Sequence, residues 1–69
     1  MAGAAWDPSK VIFEFYQVGG SVKVTAVDPA SGTEVATVGS PNVSQHELMG
    51  LARRKLEYVL KKQGKIPPQ

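Results

Sequence analysis

Two glycine-containing turns divide the first part of the chain into three short runs of β-forming residues. Gly19-Gly20 separates the first two runs, and residues 29–32 (Pro-Ala-Ser-Gly) separate the second from the third. A Gly-Gly pair between such runs is typical of a two-residue hairpin loop that needs a positive φ at both positions. Proline can open a four-residue turn, and glycine can adopt its left-handed conformation. The spacing therefore predicts a three-stranded antiparallel meander.

The two turns also predict how the strands are aligned. With these loops, Val18 opposes Ser21 in the first hairpin, and Asp28 opposes Thr33 in the second. Opposed residues lie on the same face of an antiparallel pair, so both hairpins predict the same division of side chains. The predicted strands cover residues 10–18, 21–28 and 33–38. The predicted core face consists of Val11, Phe13, Phe15, Val22, Val24, Ala26, Val35 and Thr37.

The opposite face of the predicted sheet is less polar than a solvated sheet surface normally is. One interpretation is a β-rich surface that tolerates valines, and another is a face covered by an arm that carries Trp6. The third is an interaction surface, because contiguous exposed apolar area usually marks one. The first strand is also a long apolar edge strand, which favours pairing with a further strand. The candidate protein-interface residues are Ile12, Glu14, Tyr16, Lys23, Val27 and Val38.

A capping motif predicts where the helix begins. Ser44 as N-cap with Glu47 at N3 matches a capping box, and Val43 and Leu48 fall at the positions of a hydrophobic staple. Gly64 suits the end of the helix. Between these limits, apolar residues recur at helical spacing; they are Leu48, Ala52, Leu56, Val59 and Leu60. The predicted fold class is α+β, with a three-stranded antiparallel β-meander followed by one C-terminal α-helix packed on one face (βββα).

The composition restricts what else this chain can be. A chain of 69 residues forms one small domain that buries only about 60% of its unfolded surface. It has no cysteine and one histidine, so we expect no disulfide, no metal and no cofactor. It has neither an apolar run of about 18 residues nor a signal-peptide pattern. We therefore expect a cytoplasmic protein with no membrane contact. The predicted divisions are a flexible arm (1–9), a domain (10–64) and a tail (65–69).

The predicted helix carries most of the positive charge, since six of the eight basic residues lie between positions 51 and 65. Glu57 is four residues from both Arg53 and Lys61, which favours pairing along the helix. Cations in the last turn also suit the helix dipole. A solvated helix face explains this pattern, but clustered cations also permit weak, salt-sensitive binding to nucleic acid. The residues for that alternative are Arg53, Arg54, Lys61, Lys62 and Lys65, with Lys23 assisting.

No arrangement of residues predicts catalysis. His46 is the only imidazole, and its neighbours Ser44 and Glu47 are assigned to the capping box rather than to a catalytic triad. The turns lack the phosphate-loop pattern. We therefore expect a non-catalytic interaction module that binds either another protein or a second copy of itself through the sheet edge and the second sheet face. Weak nucleic-acid binding through the basic helix is the alternative.

The order of three strands and a helix resembles two nucleic-acid-binding families. The segment VTAVDPASGTEV, followed by a helix, resembles the second hairpin of the AP2-like and integrase arm-binding domains, whose sheet reads DNA. Here the exposed face offers only Lys23 and Tyr16, where those domains carry Arg, Trp and Lys. The double-stranded RNA-binding domain also ends in βββα, but this chain has SQHEL in place of its Lys-rich helix start. No binding residue is carried over from either family.

A third resemblance covers most of the chain. The segment FEFYQVGGSVKVTAVDPASGTEV with LARRKLEYVL resembles a family of short bacterial proteins of unknown function, from Val11 to about Lys61. This resemblance implies a βββα fold, and it implies no assigned activity and no site residues.

Overall fold

The computed structural model describes residues 6–66, and it has the predicted order of elements. The strands form one antiparallel sheet in the order β1-β2-β3, so β2 is central and the other two are edge strands. The elements are β1 (Ile12–Val18), β2 (Ser21–Val27), β3 (Glu34–Gly39) and α1 (Gln45–Lys62), with a short 3-10 helix at Pro8–Lys10. This arrangement confirms the α+β, βββα prediction.

The predicted register is also confirmed. In the first hairpin, Val18 opposes Ser21 and Phe15 opposes Val24. In the second hairpin, the N–H of Asp28 donates to the carbonyl of Thr33 at 2.9 Å, which places these two residues opposite each other. The lengths of the two loops were therefore sufficient to align all three strands.

The first loop differs from the prediction in its turn type. We expected a positive φ at both glycines, but only Gly19 has one, at 58°. A positive φ at the first central position alone is the pattern of a type II′ turn, which also fits the right-handed twist of a hairpin. The second loop uses Gly32 at a φ of 75°, and its N–H donates to the carbonyl of Asp28 at 2.8 Å.

The hydrophobic core lies between one face of the sheet and the helix. Its buried members are Val11, Val24, Ala26, Val35, Leu48, Ala52, Leu56, Leu60 and Ile66. The helix packs against β2 and β3, and much less against β1. Phe13 and Phe15 point to the core face but stay half-buried because β1 lies beyond the main contact of the helix.

Both ends of the helix have well-defined caps. The Ser44 Oγ accepts a hydrogen bond from the N–H of Glu47 at 3.1 Å, as the capping motif predicts. At the other end, Gly64 has a φ of 73° and its N–H donates to the carbonyl of Lys61. The N–H of Lys65 donates to the carbonyl of Leu60, and these two bonds together make a Schellman motif.

The structure extends the packed domain beyond both predicted ends. Trp6 packs against the core cluster, rather than over the opposite sheet face, and Asp7 caps the 3-10 helix through the N–H of Ser9. At the other end Ile66 is buried, because the Schellman turn directs the chain back towards the core. Parts of the predicted arm (1–9) and tail (65–69) are thus folded. Residues 1–5 and 67–69 lie outside the described part. Within residues 6–66, no helix combines the length and apolar character that crossing a bilayer requires.

Candidate interaction surface

The sheet face that points away from the helix brings all six predicted interface residues together. We call it the open face, and it consists of Ile12, Glu14, Tyr16, Val18, Lys23, Thr25, Val27, Glu34, Ala36 and Val38. Cross-strand pairing arranges its central part in rows. The three rows are Tyr16–Lys23–Val38, Glu14–Thr25–Ala36 and Ile12–Val27–Glu34. The grouping predicted from sequence is therefore present in the structure.

The open face exposes large apolar side chains. The exposed fractions are 51% for Ile12, 47% for Tyr16, 56% for Val18 and 64% for Val38. Three of these four residues lie on β1, so most of the large exposed apolar side chains lie near the β1 edge of the sheet. Glu14, Glu34 and Lys23 add two negative charges and one positive charge to the same face. A mixed surface of this kind can recognise a complementary strand through both apolar contact and charge.

A hydrogen bond organises the middle of the exposed β1 side chains. The phenolic oxygen of Tyr16 donates to the Oε1 of Glu14 at 3.0 Å. This bond, together with the negative charge of Glu14, raises the pKa of the Tyr16 phenol above its ordinary value. The neighbouring Thr25, which opposes Glu14 on β2, is buried even though the helix lies on the other side of the sheet.

Alternation of backbone bonds shows which groups point off the β1 edge. The backbone of Asp28 bonds to β3, so the N–H and C=O groups of every second residue before it on β2 also point to β3. The backbone groups of the residues between them point to β1. Their partners on β1 are the even-numbered residues from Ile12 to Val18. The N–H and C=O groups of the remaining β1 residues therefore point outwards; these residues are Phe13, Phe15 and Gln17.

The opposite edge of the sheet, formed by β3, has a contact with the helix. By the same alternation, the backbone groups of Glu34, Ala36 and Val38 point outwards from β3. The Nζ of Lys55, on the helix, donates to the carbonyl oxygen of Ala36 at 2.6 Å. Covering a sheet edge with another element of the chain is a common protection against strand pairing. The β3 edge is thus partly occupied by the chain itself, whereas β1 carries neither lysine nor proline.

Three of the five candidate cations on and after the helix contact a neighbouring side chain. Lys61 lies 3.4 Å from the Glu57 carboxylate, and the Nζ of Lys62 lies 5.8 Å from the centre of the Tyr58 ring. The Nζ of Lys65 donates to the Thr33 hydroxyl at 3.0 Å. Arg53 and Arg54 are exposed on the helix. Lys23 lies on the open face, so the sheet separates it from all of these residues.

His46 and its neighbours Ser44 and Glu47 lie at the start of the helix. His46 is exposed in the first turn of the helix, and the Ser44 hydroxyl oxygen accepts the capping bond from Glu47. Among residues 6–66, no cluster of three or more His, Cys, Asp or Glu side chains is placed to hold a metal ion.

Sequence reasoning did not predict the hydrogen bond from Lys55 to β3. The position of Lys55 beside the apolar stripe of the helix predicts that its aliphatic stem covers the edge of the core. The same position could have indicated contact with an edge strand. The carbonyl it reaches depends on which strand the helix crosses, however, and the spacing of residues along the helix does not determine that.

Comparison with known proteins gives a family but no activity. A family model described as a domain of unknown function, DUF6898, matches residues 8–63. This match confirms the resemblance to a family of unknown function, and its boundaries include the 3-10 helix and end at the helix C-cap. The bacterial origin expected from that resemblance stays a prediction. Neither a curated protein nor a solved structure matches the chain.

Proposed function

The chain belongs to the DUF6898 family of unknown function, and we propose that it is a non-catalytic protein-binding module. Its binding surface is the edge of β1 together with the adjoining part of the open face. The partner supplies an extended strand that is added to the sheet.

The difference between the two sheet edges is the observation that carries this proposal. The helix packs over β2 and β3, and Lys55 donates a hydrogen bond to an outward carbonyl of β3. The outward backbone groups of β1 belong to Phe13, Phe15 and Gln17. A strand added there gains main-chain hydrogen bonds from these residues and side-chain contacts on both faces of the sheet.

The side chains around this edge fit such a partner. On the open face, Ile12 and Val18 are more than half exposed. On the core face, Phe13 and Phe15 are half-buried and can be covered further by a neighbouring strand. Burial of apolar area at both faces would favour the complex, against the entropy that the two partners lose on association.

The geometry gives less support to the alternative of nucleic-acid binding. Of the five candidates on the helix and after it, Lys61, Lys62 and Lys65 are each engaged by a neighbouring side chain. Only Arg53 and Arg54 have no such contact in the described part of the chain. Two exposed arginines would neutralise few phosphates, so they support only a weak binding of nucleic acid.

Site-specific photocrosslinking in lysate of the native cell tests the proposal. A photoreactive phenylalanine derivative replaces Gln17 at the β1 edge in one variant, and Arg53 on the helix in a matched control. We expect a discrete protein adduct from position 17, unchanged by nuclease or by salt, whose crosslinked segment has the alternating sequence of a strand. The absence of an adduct at position 17 would contradict the proposal. A nuclease-sensitive adduct at position 53 would favour the alternative.

A further inference from the structure

We propose that the strand added to β1 is β1 of a second copy of this chain, so that two three-stranded sheets join into one six-stranded sheet. This inference rests on the proposed function and specifies the partner. The two strands run antiparallel about a two-fold axis at Phe15, and each copy contributes the same surface to the interface.

The length of β1 and the direction of its backbone groups favour one register. Phe13, Phe15 and Gln17 are the residues whose groups point off the edge, so these residues have to exchange hydrogen bonds with one another across the interface. The seven residues of β1 overlap completely only when Phe15 of one copy opposes Phe15 of the other. Phe13 then opposes Gln17 of the second copy, and all outward groups of these residues are paired.

The open-face side chains are complementary in this register. Ile12 lies opposite Val18 of the second copy, which brings together two side chains that are more than half exposed in the monomer. Glu14 lies opposite Tyr16 of the second copy. The single O–H of Tyr16, which donates to Glu14 within the chain, can donate to either its own Glu14 or that of the second copy.

The neighbouring registers are worse. A shift of two residues in one direction places Glu14 opposite Glu14 of the second copy, where two like charges meet. A shift of two residues in the other direction places Glu14 opposite Val18 of the second copy. Ile12 then lies opposite the first hairpin loop of the second copy. Both shifts also shorten the overlap. Backbone pairing, apolar contact and charge therefore agree on the same arrangement.

The core face gains from the same pairing. Since the helix lies over β2 and β3, the rings of Phe13 and Phe15 are only half-buried in the monomer. The two-fold axis places the two Phe15 rings side by side on this face, where cross-strand aromatic pairs are favourable. A domain of this size has a small core, and a second copy enlarges it.

Sedimentation equilibrium of the purified full chain, combined with cysteine crosslinking, tests the inference. The chain contains no cysteine, so each introduced thiol is unique. Ile12→Cys and Val18→Cys are prepared as separate variants, and they are then mixed under mild oxidation. In the proposed register these two positions are a non-hydrogen-bonded pair about 4.5 Å apart between Cα atoms, within the range of a disulfide.

We expect the wild-type chain to sediment as a concentration-dependent dimer and the mixed variants to form a disulfide-linked heterodimer. Each variant alone should crosslink at least several-fold more slowly, because equivalent positions lie about 20 Å apart at opposite ends of the strand pair. A chain that remains monomeric up to about 1 mM overturns the inference. A dimer in which the mixture crosslinks no faster than either variant alone overturns it as well. If the chain is monomeric but position 17 crosslinks to a different protein, the inference fails and the proposed function stands.

Discussion

The Nζ of Lys55 lies 2.6 Å from the carbonyl oxygen of Ala36, so that a helix side chain occupies a hydrogen-bonding position on the outer edge of β3. No equivalent contact to the outward groups of β1 occurs in residues 6–66, because the helix packs over β2 and β3. The single helix of this βββα domain therefore covers the core and also makes the two edges of the sheet unequal. The β3 edge is partly occupied by the chain itself, and the β1 edge has no such contact within residues 6–66.

The first prediction concerns Lys55 itself. Lys55→Met keeps most of the aliphatic stem and removes the ammonium group, so the carbonyl of Ala36 loses its donor. We expect the free energy of unfolding to fall by about 0.5–1 kcal/mol, the lower part of the usual range because the side chain is exposed. Urea denaturation measures the change. Arg53→Met is the matched control and should stay within about 0.5 kcal/mol of the wild type.

The second prediction distinguishes the two glycines of the first hairpin loop. Only Gly19 has a positive φ, so Gly19→Ala places a Cβ in the left-handed region and should cost about 1–2 kcal/mol. Gly20 has a conformation that alanine accepts, and no atom lies within 4 Å of its added Cβ. Gly20→Ala should therefore be neutral or stabilising by up to about 1 kcal/mol. Equal destabilisation of both variants in thermal denaturation would show that the turn is type I′, as the sequence first suggested.

The third prediction uses two glycines with negative φ. A Cβ added at Gly39, at the end of β3, would lie 2.5 Å from the Cδ2 of Leu48, which is 2% exposed. Because Leu48 has little room to move in the core, Gly39→Ala should cost about 1–3 kcal/mol. At Gly50, in the helix, the nearest atom is a guanidinium nitrogen of Arg54 at 3.7 Å. Gly50→Ala should stabilise by about 1 kcal/mol through helix propensity. Chemical denaturation of the two variants checks both signs.

Much of the fold was predictable because short loops restrict it strongly. Once Gly19-Gly20 is a two-residue loop, Val18 must oppose Ser21, and the faces of β1 and β2 follow by alternation. The capping residue Ser44 was identified for a similar reason, since its bond to Glu47 is local in sequence. The open face could be assigned to its residues from these constraints alone.

The remaining features depend on how distant parts of the chain meet. Trp6 and Ile66 pack on the core from opposite ends of the described chain, and no local pattern specifies that. The hydrogen bond from Lys65 to Thr33 also joins distant parts of the chain, because Thr33 precedes the helix in the sequence and Lys65 follows it. The difference between the two sheet edges likewise follows from the position of the helix over β2 and β3. The pattern of apolar and polar residues does not determine which strands the helix covers.

The fourth prediction tests the proposed register through charge. Tyr16→Lys places a cation opposite Glu14 of the second copy, twice in the dimer, and should strengthen association. Tyr16→Glu places a carboxylate there and should weaken it. The dimer contains two such pairs, which attract in the Tyr16→Lys variant and repel in the Tyr16→Glu variant. The dissociation constants of the two variants should therefore differ by roughly tenfold or more in sedimentation equilibrium at low salt.

Monomer stability provides the internal control for this pair of variants. Within the chain, position 16 lies beside both Lys23 and Glu14, so a charge of either sign there meets one attraction and one repulsion in the monomer. The monomer stabilities of the two variants should therefore differ less than their dissociation constants. If the two variants associated equally, Glu14 would not lie opposite Tyr16 of the second copy.

The fifth prediction concerns the ionisation of Tyr16. Its hydrogen bond to Glu14 and the charge of that carboxylate raise the pKa of the Tyr16 phenol above 10.0. A raised pKa means that this interaction contributes fully to stability below the ordinary tyrosine pKa, and that the contribution is lost as the pH rises through the folded-state pKa. An absorbance titration in a Tyr58→Phe background measures the Tyr16 phenol alone. Glu14→Ala should lower the measured pKa towards 10.0, and an unchanged value would refute the assigned cause.

Amide hydrogen exchange as a function of protein concentration tests most directly the claim that β1 pairs with β1 of a second copy. The outward amides of β1 belong to Phe13, Phe15 and Gln17, and those of β3 belong to Glu34, Ala36 and Val38. We predict that protection of the β1 amides rises with concentration while that of the β3 amides stays constant. Protection of the β1 amides that does not change with concentration, or that rises equally at both edges, would contradict the account.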